Sequence, residues 1–404
     1  MAGNESSRMT SNEDWLDPGH GGGGAAKRGG PHRRRRIGWR IVLGVVGVIV
    51  VAGLGAARWV VPYYAITPGT ALNVAQLISV PRSASHVHRG SVVLTDVQLV
   101  HLTALGYLYY RFDQHAQIVS SGDLTGGSSS AAYDEEGVIE MATARQAATL
   151  VALRELGYHP RAVPAGVVVF AIETGASRAS TLGVGDVVTA TGSTQTAELG
   201  RLVAAVGAVS PGGSIELTFH ELGSTRVHRR SVIVGELESS GPSASATLTC
   251  VRVGSIRPGR IVRRAGRAAS CLPFYPEQLY RDEHEPYRVS IDSNGIVGPS
   301  AGLSFTLGLI DKLDRADLTG GRRVAATGTM SNDGSVGAIG GVAQKTAAVR
   351  AAGATVFLVP PANAAVARAN AGPNLRIIPV SSIGEAVAAL EQLGGKLAPA
   401  TAAR

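Results

Sequence analysis

From Ile41 to Ala57 the chain runs without a charge, and the apolar stretch extends from Ile37 to Val61. At about 1.5 Å per residue, a helix of that length crosses a hydrocarbon core of about 30 Å. Beyond it the apolar segments shorten. "GSVVLTDVQLV" (90–100) alternates with β-branched residues and predicts a strand. "GVIEMATARQAATLVALRELGY" (137–158) carries Met141, Ala144, Ala148, Val151, Leu153 and Leu156 on an approximate helical stripe, with Gly157 placed to end it. A Val-rich strand at 166–172, a helix at 196–206 and a strand at 214–219 follow. From about residue 290 helix and strand alternate. A helix at 300–313 turns Leu303, Leu307 and Ile310 to one face, and "VAATGTM" and "SVGAIGGV" are strand-like about a turn at Asn332-Asp333-Gly334. A helix at 340–353, strands in "TVFLVP" and "LRIIPV", and a helix in "SIGEAVAALEQLGG" complete an α/β pattern. Two stretches read as irregular. "YYAITPGTALNV" (63–74) predicts an extended linker turning at Pro68-Gly69, and 120–134 a flexible loop.

Charge orients the long apolar run. Arg33 to Arg36 and Arg40 precede it, whereas only Arg58 follows closely; Trp39 and Trp59 bracket it like headgroup-level indoles. The positive-inside bias puts residues 1–36, a Gly- and Ser-rich tail expected to be disordered, in the cytoplasm, and everything after about residue 62 outside. The alternative is a cleaved signal peptide, with "GAA" at 55–57 as a processing site. The formal net charge of +8 invites a nucleic-acid partner, yet the remaining basic residues are scattered and aromatics make up only 5%, which argues against one. The two cysteines, Cys250 and Cys271, exclude a multi-cysteine zinc site. They either form a bridge closing a loop of about 20 residues or remain two buried thiols. No metal and no cofactor is expected.

The candidate chemistry lies in "NGIVGPSAGLSF" (294–305). Ser300 follows Gly-Pro at a helix start, where serine is an ordinary cap. The same position surrounds it with unpaired backbone N–H groups, so the N–H groups of Gly298, Ser300 and Ala301 could hold an oxyanion. A nucleophilic serine needs a base. No histidine is marked out for that role; His284 lies in the charged stretch "RDEHEPY". Lys345 is one of only four lysines in an arginine-rich chain and sits among Gly341, Val342, Ala343, Ala347 and Ala348. Arginine holds its proton, whereas a buried lysine can release one. The bland alternative for Lys345 is a solvated surface amine.

Two resemblances add to these readings. The strand followed by Gly175-Ala176-Ser177 and then "LGVGDVV" (182–188) resembles a bacterial PDZ domain. That implies an extended peptide adding a strand at Gly166, Val167 and Val168. The usual carboxylate-loop pattern is missing from "YHPRAVPAG", so the peptide is either a C-terminus or an internal segment. "GPSAG", then Thr327-Gly328, then "GGVAQK" and "AGATVFLVP" resemble the proteolytic domain of the Lon family, which uses a Ser-Lys dyad. The resemblance implies Ser300 as nucleophile, Lys345 as general base and Thr327 as the residue orienting the lysine. An acidic residue often follows the Thr-Gly pair in Lon enzymes; here it is Thr329. No G-x-x-x-x-G-K-[ST] phosphate loop occurs, so the arrangement resembles the ATP-independent, membrane-anchored, PDZ-containing Lon-like proteases of bacteria.

The expected organisation is a tail (1–36), an anchor (37–61), a linker with the first part of an α/β Lon-like domain (62–159), a PDZ-like α+β module (160–237), the rest of the proteolytic domain (238–396) and a short tail (397–404). The expected partners are peptide or unfolded envelope-protein substrates, the membrane, and further copies in a ring; a non-catalytic tethered adaptor is the alternative.

Overall fold

The computed structural model describes residues 32–126, 130–172, 182–240, 247–251, 270–283 and 286–398. The chain divides into two units, Met1–Ala56 and Ala57–Arg404. The apolar run lies in a helix, His32–Arg58, nearly all of it in the first unit. Its Ile41–Arg58 portion is long and apolar enough to cross a membrane, and none of it is covered by protein.

The second unit is built on a six-stranded sheet in the order Arg376–Pro379, Val356–Val359, Arg323–Ala326, Ser91–Thr103, Val60–Asn73 and Gln117–Ser120. The first four strands are parallel, with Arg323 opposite Ser91 and Val324 opposite Val356. The last two join antiparallel. Sequence-distant segments therefore share one sheet. They also share one core: Met141, Ala148 and Val151 of the helix Ser130–Glu155 pack with Leu303, Phe305 and Leu307 of the helix Gly302–Leu313.

Two irregular stretches prove regular. Residues 63–74 belong to the strand Val60–Asn73 and the short helix after it, and the expected turn at Pro68-Gly69 is a register shift within the ladder. Proline has no N–H to offer, which suits such an interruption. The expected loop at 120–134 contains a short helix, Ser121–Thr125, capped by the Ser120 hydroxyl accepting from the Asp123 N–H, and the start of the long helix at Ser130.

A second, antiparallel sheet runs Phe274–Asp282, Ala162–Ile172, Asp186–Thr191, Ser214–Glu221 and His228–Ile233. The helix Leu199–Gly207 closes its core through Leu202 and Val206, against Val169, Leu182 and Phe219. This arrangement corrects the expected peptide site. Gly166, Val167 and Val168 pair with Leu279, Gln278 and Glu277, while Val167 and Val168 also pair with Val188 and Val187 on the other side. Both edges are filled by the chain itself, Val167 and Val168 are fully buried, and no peptide can add a strand there. Gly175-Ala176-Ser177 and His284 lie outside the described residues.

Candidate active site

The site forms where three chain segments converge on the C-terminal end of the parallel strands. The strand Arg323–Ala326 delivers Thr327, whose N–H continues the ladder by donating to the Leu358 carbonyl at 3.0 Å. Gly328 follows at φ 153°, and a Cβ there would lie 2.6 Å from Val336; glycine alone lets the chain turn so close to its neighbour. The Gly328 N–H and the Thr327 hydroxyl both donate to the Ser300 carbonyl, at 3.0 and 3.1 Å. These two bonds fix the backbone of the serine.

Ser300 sits in a single 3-10 turn, Pro299–Ala301, that leads into the helix Gly302–Leu313. Gly298 before it takes φ 87°, in the left-handed region that glycine favours, and Pro299 supplies a preset helical φ. The sequence left Ser300 as either cap or nucleophile. The helix has Ala301 at its N-cap position and no side-chain cap bond. The Ser300 hydroxyl instead meets Lys345, whose Nζ lies 2.5 Å from its Oγ.

Lys345 projects from the first turn of the helix Val342–Ala351, its N–H donating to the Gly341 carbonyl at 2.9 Å. Gly341 opens this helix at φ 65°, and a Cβ there would lie 2.9 Å from Val97. The helix start is thus pressed onto the strand Ser91–Thr103. Lys345 is only 3% exposed, so the solvated alternative is set aside. Its Nζ also lies 3.5 Å from the Thr327 hydroxyl. Burial pulls the amine down from its ordinary 10.5 to about 8, against an opposing pull from the Asp96 carboxylate. A charge stripped of water is disfavoured, and for lysine that lowers the pKa. Asp96 is itself held by the backbone N–H and hydroxyl of Thr70.

Of the three backbone groups expected to face an oxyanion, Gly298 is spent: its N–H donates to the Gly137 carbonyl at 2.8 Å. Ser300 and Ala301 remain at the helix entrance, where N–H groups lack a partner one turn earlier. Two carboxylates near the site escaped sequence reasoning. Asp96 reaches it only because the strands Val60–Asn73 and Ser91–Thr103 pair, which no local motif announces. Glu140 comes near Gly298 from the helix Ser130–Glu155; burial and then the Glu277 and Glu136 charges raise its pKa. Cys271 is disulfide-bonded and stands opposite Gly235, while Cys250 stands opposite Leu237 on the other side of the strand Gly235–Ser240; the Cys250 side chain lies outside the described residues.

A hydroxyl at a helix start in contact with a buried amine of lowered pKa is an arrangement suited to a serine hydrolase. Residues 289–391 match the family model of the Lon protease (S16) C-terminal proteolytic domain, a segment that includes Ser300, Thr327 and Lys345. The chain is thus Lon-like in this part and carries a serine protease domain of that family. No curated protein matches the chain.

Proposed function

We propose that the protein is an ATP-independent, membrane-anchored serine endopeptidase working on the outer face of a bacterial cytoplasmic membrane through a Ser300–Lys345 dyad. The 2.5 Å approach of a buried amine to the serine hydroxyl carries this reading. The neutral Lys345 amine takes the Ser300 proton as Oγ attacks a peptide carbonyl carbon. The N–H groups of the Ser300–Ala301 turn stabilise the oxyanion. The C–N bond breaks, the leaving amine takes the proton from Lys345, and an acyl-serine remains. Water then gives a proton to Lys345 and attacks the ester, and the proton returns to the Ser300 oxygen as the acid leaves. Thr327 holds both partners in place.

The apolar helix and the charge asymmetry about it support the anchor, and the proposed envelope substrates rest on that reading. The second sheet fits a PDZ-like docking module. A Cys250–Cys271 bridge would staple the small sheet formed by the strands Thr247–Val251, Gly235–Ser240 and Ser270–Cys271, and a ring of copies is the proposed assembly.

The deciding experiment offers purified full-length chain in detergent an unstructured protein and a serine-reactive fluorophosphonate. Cleavage and labelling of the wild type, both lost in Ser300→Ala and Lys345→Ala, is the expected result. A folded chain that binds peptide yet shows neither reaction would leave a tethered adaptor.

A further inference from the structure

The helix Ala104–Tyr110 turns its apolar side the wrong way for a soluble protein. Leu105, Leu108 and Tyr109 follow the i, i+3, i+4 spacing that marks one helical face, and Phe112 follows in the turn just after the helix. That face normally meets a core. Here the four side chains are 47, 55, 69 and 77% exposed. The opposite side is already seated, with the Tyr107 ring 5.1 Å from that of Tyr63.

This helix is tied to the residue that follows the membrane-length segment. Its first N–H, that of Ala104, donates to the Trp59 carbonyl at 2.8 Å. Trp59 is the residue after Arg58, where the membrane-length segment ends. Trp59 and Val60 are exposed beside it. Aromatic rings, aliphatic side chains and flanking exposed Arg58 and Arg111 form the composition of a headgroup-level surface. The arginines suit anionic lipid phosphates. We propose that the Leu105–Phe112 stripe, with Trp59 and Val60, rests in the headgroup layer of an anionic bilayer and so holds the catalytic unit against the membrane. The proposal rests on the reading of 37–61 as an uncleaved anchor. Its consequence is a protease whose reach is confined to segments close to the bilayer.

The test uses the full chain reconstituted in phosphatidylethanolamine–phosphatidylglycerol vesicles. An environment-sensitive fluorophore is placed at Leu108→Cys or, as a control away from the stripe, at the exposed Val366→Cys; the unsubstituted chain, labelled alike, gives the background. Brominated acyl chains should quench the probe at 108 severalfold more than the probe at 366, with a blue shift and protection from aqueous iodide. Alkaline carbonate extraction of the same vesicles reads the anchor separately. A retained chain whose 108 probe is open to iodide and insensitive to bromine overturns the surface alone. So does quenching at 108 that vanishes when labelled chains are diluted with unlabelled ones, since that marks a contact between copies. A chain that washes off in carbonate overturns the anchor, and the surface with it.

Discussion

Lys345 ties the chemistry of the site to a cost in stability. Folding holds its amine at about 8 instead of 10.5. Between those values the folded state has released a proton that the unfolded chain keeps, so stability rises with pH across that window. Below about 8 the buried ammonium carries its full penalty, of about 3 kcal/mol for a shift of this size. Lys345→Met should therefore be inactive and more stable than wild type at pH 7, by up to about 3 kcal/mol; the difference in urea midpoints should shrink as pH is raised towards 10. In the same wild-type samples kcat/KM should climb with pH and level off above about 8 as the amine becomes free to act as base. A flat profile through that range would separate the reaction from this amine. Thr327 acts by position. Thr327→Val keeps the volume but removes the hydroxyl that donates to the Ser300 carbonyl, so kcat should fall by up to about 100-fold, with KM little changed. Loss in KM alone would place Thr327 in substrate binding instead.

Elements whose partners lie nearby in sequence were legible, and those made by distant pairing were not. The helix Gly302–Leu313 announces itself through Leu303, Leu307 and Ile310, and Lys345 stands out because arginine is used nearly everywhere else. Val60–Asn73 looks like a linker because proline and glycine interrupt it; its ladder with Ser91–Thr103 supplies what local propensity withholds. Gly166–Val168 has the pattern of an edge, but Phe274–Asp282, about 110 residues later, covers it. Helix packing shows the same limit at Gly308. By propensity alone Gly308→Ala should stabilise the helix by about 1 kcal/mol. In the fold, a Cβ there would lie 2.4 Å from a methyl of the buried Val74, and both sit on packed elements with little room to shift. Overpacking should win, lowering stability by about 1–3 kcal/mol. Val74→Ala in the same chain should recover part of that loss, a coupling that a thermal double-mutant cycle reads directly.

For the whole molecule, the segment that carries the family match does not contain its own support. Residues 289–391 hold Ser300, Thr327 and Lys345, yet their strand Arg323–Ala326 pairs on one side with Ser91–Thr103. Leu303, Phe305 and Leu307 are buried partly by Met141, Ala148 and Val151. The helix bearing Lys345 is pressed at Gly341 onto Val97, and Asp96 beside it steadies the lysine's charge. Cut away from the earlier segments, the C-terminal part would expose one edge of its sheet and one face of its main helix, each costing several buried side chains at about 1.5–3 kcal/mol apiece. That loss is comparable with the entire stability of an ordinary domain, about 5–15 kcal/mol. A fragment spanning 286–404 should therefore be insoluble or lack a cooperative unfolding transition, and should not react with a fluorophosphonate. Co-expression with a fragment spanning 60–160 should restore a soluble complex that labels at Ser300, because the missing strand, helix and carboxylate return together. Labelling of the 286–404 fragment by itself would show that the dyad is assembled by the C-terminal segment alone, and that the shared sheet and core are dispensable for it.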